Sequence, residues 1–68
     1  MKNYREKENL KMQLLLDSKL NFRLSEVELL LITGAVTIGG IEYHLEDLGN
    51  EWLVTERHDN QFYEYRYS

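Results

Sequence analysis

An α+β fold is what this chain predicts: N-terminal helical segments packed on one face of a three- to four-stranded antiparallel β-meander. Three observations carry that expectation. Residues 35–68 alternate apolar and polar side chains in runs divided by turn-forming clusters, and the chain contains no proline. The same half ends in an aromatic stripe at Tyr63, Tyr65 and Tyr67. Residues 1–34 hold helix-forming Lys, Glu, Met, Gln and Leu, and then a helix-start and helix-stop signal.

Residues 2–18 read as the first helix, with Leu10, Leu14, Met12, Leu15 and Leu16 forming a broad apolar face. Leu10, Met12, Leu14 and Leu16 also alternate, so a strand competes for this segment; propensity favours the helix. Its first turns, with Lys2, Arg5, Glu6, Lys7 and Glu8, are polar all round. Leu20, Phe22 and Leu24 alternate with Asn21 and Arg23, which predicts an extended, partly buried connector. Ser25 is the expected cap of a second helix, with Glu28 as its capping-box partner and Leu24 and Leu29 as a hydrophobic staple. Gly34 is the expected left-handed stop. Between them lie Val27, Leu29, Leu30, Leu31 and Ile32, too apolar for a helix covered on one side only.

Gly39-Gly40 between Val36-Thr37-Ile38 and Ile41-Glu42-Tyr43 predicts a two-residue hairpin. Residues 47–50 and 58–61 are the next turn clusters. Treated as four-residue loops, they place Leu45 opposite Trp52, Tyr43 opposite Val54, Val54 opposite Tyr65 and Trp52 opposite Tyr67. Val36, Ile38, Ile41, Tyr43, Leu45, Trp52, Val54, Tyr63, Tyr65 and Tyr67 then share one face. Glu42, His44, Glu46, Glu51, Thr55, Arg57, Glu64 and Arg66 share the other, with Leu53 and Phe62 as apolar exceptions. On that open face Glu42, Thr55 and Glu64 are expected in one row, with Arg57 and Arg66 diagonal to the acids.

The chain has 68 residues, which predicts one small domain, mainly helical over 1–34 and sheet over 35–68. A chain of this size buries only about 60% of its unfolded surface. It has no cysteine, so disulfides and thiolate zinc sites are excluded, and self-association into a homodimer, or else unusually good packing, is the expected source of extra stability. No apolar run approaches the ~20 residues of a membrane span, and no signal-peptide core follows the charged N-terminus. The expectation is a cytoplasmic protein without membrane attachment.

Charge divides unevenly. Residues 1–34 hold six Lys/Arg and five Asp/Glu, whereas residues 35–68 hold two Arg and seven Asp/Glu. The sheet half therefore repels phosphate and attracts a basic protein surface. His44 with Glu46, Asp47, His58 and Asp59 is the one collection resembling a metal or acid/base site, but nothing in its spacing makes the side chains converge. Glu42, Glu46 and Glu51 fall on an exposed face, where carboxylates do little chemistry. Neither an enzyme nor a cofactor is expected. Tyr63, Tyr65 and Tyr67 with Trp52 fit a core or subunit interface better than a stacking platform for single strands, given their acidic neighbours. The last strand is also a sheet edge, either open to pairing with its own copy or with a target, or blunted by the charges of Glu64 and Arg66. Lys2, Arg5, Lys7 and Lys11 make the N-terminal helix mildly basic, partly offset by Glu6 and Glu8, as in the pair Lys2–Glu6.

These readings point to a non-catalytic protein-interaction module. It would be a small acidic regulator or inhibitor that binds and occludes a protein with a basic surface; its size is that of accessory proteins of phages and mobile elements. The partner-binding residues expected are Glu42, His44, Glu46, Arg57, Glu64 and Arg66 on the open face, or Tyr63, Tyr65 and Tyr67 at the edge. A DNA-binding transcriptional regulator, with the short helix in a groove and a hairpin as wing, is the second reading. Its helix lacks the Arg, Lys, Asn or Gln that read bases. A purely structural homo-oligomer is the third.

Overall fold

The computed structural model describes residues 4–68. Helix α1 spans Tyr4–Leu16 and α2 spans Leu24–Thr33; strands β1 (Ala35–Ile38), β2 (Ile41–Asp47), β3 (Trp52–His58) and β4 (Gln61–Tyr67) follow. The strands form one antiparallel sheet in sequential order, β1-β2-β3-β4, and both helices lie on one of its faces. This is the α+β meander that the alternation predicts. The expected start of the first helix at Lys2, and the Lys2–Glu6 pair, lie outside the described residues.

The first helix settles the competition over residues 10–16. Leu10 and Leu14, one turn apart, are fully buried, while Met12 and Leu16 are 56% and 77% exposed. A strand would have buried all four on one side. Asp17 then stops the helix, because its carbonyl accepts the Leu20 and Asn21 N–H groups and its side chain accepts the Lys19 N–H at 3.0 Å. Asn21 takes the left-handed conformation, φ +54°. A tight turn over residues 18–20 thus leads into the connector, which leaves the expected extended path at Asn21, is extended at Arg23, and buries Leu20 and Phe22. Phe22 meets Tyr43 of β2 edge-on, with ring centroids 4.9 Å apart.

The cap of α2 also differs from expectation. Arg23, extended at φ −87° and ψ 161°, occupies the cap position in place of Ser25, and its N–H is held by the Glu26 carboxylate at 2.7 Å. The shift brings Phe22 and Val27 to the positions a hydrophobic staple uses, and both are buried. Leu24 and Leu29 are about half exposed, at 51% and 46%, so burying the larger ring won over the Ser25 cap. Gly34 closes the helix as predicted, at φ +84°, with its N–H on the Leu30 carbonyl at 2.9 Å.

Gly39 and Gly40, both at positive φ, make the two-residue turn between β1 and β2. The β3–β4 register matches the expected one, Val54 opposite Tyr65 and Trp52 opposite Tyr67, with pairing that continues to His58 opposite Gln61. Between β2 and β3 the register slips by two residues: Leu45 faces Val54, and Tyr43 faces Glu56. The loop is Leu48 to Glu51, closed by a 2.9 Å bond from the Leu48 N–H to the Glu51 carbonyl, while Asp47 accepts the Gly49 N–H at 2.8 Å. A two-residue slip preserves every facing, so the apolar set stays together.

The core lies between the helices and that inner face. Leu10, Leu14, Val27, Leu30 and Val54 are wholly enclosed, and Trp52, Tyr43, Val36 and Tyr67 complete it. Leu53 is also buried, 8% exposed, although it points to the open face.

Candidate functional site: the two faces of the sheet

Rows of side chains on the open face follow directly from the register. Thr37, Glu42, Arg57 and Phe62 stand in one row; Ala35, His44, Thr55 and Glu64 in the next; Glu46, Leu53 and Arg66 in the third. This corrects the expected row: His44, not Glu42, aligns with Thr55 and Glu64, and Glu42 sits directly across from Arg57. Arg57 stacks over the Phe62 ring, 5.5 Å from its centroid. Arg66 donates to Glu51 at 2.7 Å and lies 3.6 Å from Glu64, and its stem stands beside Leu53. His44 approaches Glu42 at 3.5 Å. The face thus gathers Glu42, His44, Glu46, Arg57, Glu64 and Arg66, with more carboxylates than guanidinium groups, and among the described residues no helix covers it.

Tyr63, Tyr65 and Tyr67 lie on the opposite, inner face, so the structure does not unite the expected partner-binding residues into one surface. Tyr67 is buried and its hydroxyl donates to Asp17 at 2.5 Å. Tyr65 donates to Glu56 at 2.8 Å, beneath the Lys19 ammonium. Tyr63 is exposed, donates to Gln61 at 3.0 Å and meets His58 edge-on. Glu56, only 9% exposed, also pairs with His58 Nε2. The result is a polar ribbon of linked side chains along the inner rim of the sheet. Sequence reasoning left Glu56 off this face, although its spacing of two from Val54 and four from Trp52 places it there.

Burial, and the hydrogen bond to Glu56, push the Tyr65 hydroxyl up to about 12. Burial and Asp17 push that of Tyr67 up as well. The Tyr67 bond in turn holds the Asp17 carboxyl below its ordinary 3.8. A depressed acid stabilises the fold above its ordinary value and loses that contribution as pH falls through the folded one. A raised phenol stabilises the fold below its ordinary 10 and loses that contribution as pH rises. Tyr67→Phe is therefore expected to cost about 1 kcal/mol near neutrality. Its gap from the wild type should narrow below pH 3.8 and above pH 10, as followed by urea titration at each pH. A gap constant across pH would show that the hydroxyl bond to Asp17 does not carry the difference.

His44 and His58 fall on opposite faces of the sheet, and His58 ends β3 rather than lying in the loop. Among the described residues no three His, Asp or Glu side chains converge as metal ligands. No helix among them is long and apolar enough to cross a membrane. An open groove of about 510 Å³ runs between the helices, lined by Lys7, Glu8, Lys11, Glu28, Leu31 and Ile32 and bridged by a 3.4 Å Lys11–Glu28 pair. Apolar side chains remain on the outer surface of the helices: Met12, Leu16, Leu24, Leu29 and Ile32 all protrude, Ile32 being 82% exposed. The second helix packs against both the first helix and the sheet, the cover its composition implied, and still leaves Leu24, Leu29 and Ile32 exposed. No protein family matches the chain, and no curated protein or solved structure matches it.

Proposed function

We propose that this chain is a non-catalytic protein-interaction module, a small acidic regulator or inhibitor that binds and occludes a protein with a basic surface. The observation that carries the reading is the uncovered sheet face, on which Glu42, Glu46, Glu51 and Glu64 outnumber Arg57 and Arg66. A sheet holds these groups in fixed rows, so a partner meets a preorganised charge pattern and spends little ordering it. Phe62, 61% exposed and backed by Arg57, supplies an apolar anchor at one end of the face. The protruding apolar residues on the helices add to the case for a protein rather than a small-molecule ligand.

The test is capture from native extract with wild-type bait beside a Glu42→Lys/Glu46→Lys bait. A stoichiometric basic partner, held by the first and lost by the second with its circular dichroism unchanged, is the expected result. Recovery of bait alone would replace this reading with a structural homo-oligomer. Nanomolar, salt-sensitive retardation of duplex DNA would replace it with the transcriptional regulator.

A further inference from the structure

The sheet has two edges, and they differ. Strand β1 has four residues, and at its start the Thr33 hydroxyl donates to the Ala35 carbonyl and accepts the Ala35 N–H. That edge is short and its first residue is occupied. Strand β4 has seven residues, Gln61–Tyr67, with neither proline nor glycine. It is a full-length open edge.

Which groups it offers follows from the turn. The β3–β4 hairpin closes on His58 opposite Gln61 around a two-residue turn. Such a turn closes on a pair that exchanges both backbone hydrogen bonds. Counting in twos from there, Gln61, Tyr63, Tyr65 and Tyr67 direct their N–H and C=O groups to β3. Phe62, Glu64 and Arg66 direct theirs outward, and all three side chains are exposed on the open face.

We propose that β4 pairs antiparallel with β4 of a second copy of this chain, across a two-fold axis at Tyr65, joining two sheets into one of eight strands. Charge selects the occupant and the register. The outward-directed residues must meet one another to form hydrogen bonds, so the available registers differ in steps of two. Centred on Tyr65, the pairing sets Glu64 opposite the partner's Arg66 and Arg66 opposite the partner's Glu64, two unlike pairs related by symmetry. Centred on Glu64, it would oppose Glu64 to the partner's Glu64. Centred on Tyr63, it would leave Arg66 opposite the partner's Asn60, with no unlike pair of charges. Only the first register satisfies both charges.

The inner face agrees. In the same register Tyr65 lies opposite the partner's Tyr65 and Tyr63 opposite the partner's Tyr67, which prolongs the tyrosine stripe through aromatic cross-strand pairs. Arg66 keeps its bond to Glu51 at 2.7 Å, because a guanidinium has five N–H donors and reaches a second carboxylate. Charges on an edge strand ordinarily repel other strands. Here the alternating signs two residues apart make the edge selective for its own copy. This contact engages Glu64 and Arg66 of the proposed partner-binding face but leaves Glu42 and Glu46, the residues changed in the capture test, free, so failure of one does not decide the other.

Light scattering on the purified full chain over a range of concentrations tests the pairing. The wild type is expected to be a dimer. Glu64→Arg alone and Arg66→Glu alone should each weaken it about tenfold or more through like-charge pairs. The exchanged variant Glu64→Arg/Arg66→Glu should restore it, since the unlike pairs return with signs reversed. The chain has no cysteine, so Tyr65→Cys introduces a sole thiol that sits on the two-fold axis. Oxidation should then give a covalent dimer, which Glu64→Cys should not. A wild type that stays monomeric overturns the proposal, as do single variants without effect, an exchanged variant that fails to recover, or crosslinking through position 64. A dimer insensitive to these changes but abolished by Ile32→Glu would place the contact on the helices and overturn it too.

Discussion

Leu14→Ala is expected to remove about 2–5 kcal/mol of folding stability. The side chain is fully enclosed, as are Leu10, Val27, Leu30 and Val54 around the same core. Truncation costs the transfer energy of three carbons together with the void left behind, because close-packed neighbours relax only partly. Sixty-eight residues hold roughly 3–10 kcal/mol in total, so the variant approaches or crosses the point of unfolding. Leu16→Ala is the control. Its side chain is 77% exposed and the change should stay within about 0.5 kcal/mol. Urea titration by circular dichroism, at one protein concentration because self-association adds apparent stability, reads both. Similar losses for the two would mean that residues 10–16 alternate as a strand does, and α1 would be wrong.

Glu56 is the site of the second large effect. Glu56→Ala should cost about 2 kcal/mol, since it leaves a void and strips the Tyr65 hydroxyl and His58 of their common acceptor. Glu56→Met should recover most of that loss and fall within about 1 kcal/mol of the wild type. Methionine refills the volume, and a buried carboxylate returns little net energy once its desolvation is counted. Denaturation midpoints of the three proteins decide the matter. Equal losses in both variants would show that the hydrogen bonds, rather than the filled volume, set the cost.

How far the fold could be read from residues varies with the kind of signal. Gly39-Gly40 is a local instruction: two adjacent residues free to take positive φ make a two-residue turn, and the first hairpin follows without tertiary help. The loop of residues 48–51 is different. Asp47, Leu48, Gly49 and Asn50 mark a turn, but two placements of a four-residue loop satisfy the same alternation, and only packing chooses between them. The α2 cap failed for a related reason. Ser25 and Glu28 fit the capping pattern, yet burial of Phe22 against the sheet outweighed a single side-chain hydrogen bond.

The open-face residues Glu42, His44, Glu46, Arg57, Glu64 and Arg66 were legible from parity alone, since alternate residues of a strand face alternate sides. Their neighbours were not. Which acid lies across from Arg57 depends on the interstrand register, which no local pattern encodes. The inner-face position of Glu56 was within reach of the same parity argument, whereas its burial depends on the Tyr65 and His58 side chains that close over it.

Periodicity, turn residues and helix formers decided that helical segments precede an antiparallel meander of three to four strands, and that the apolar side chains collect on one face. These are short-range properties, set by backbone geometry within a few residues. Packing decided the rest: the stop at Asp17, the cap at Arg23, the two-residue slip between β2 and β3, and the linking of Asp17 to Tyr67 and of Glu56 to Tyr65 and His58. Those features depend on which side chains compete for the same enclosed volume, and that competition exists only once distant segments have come together.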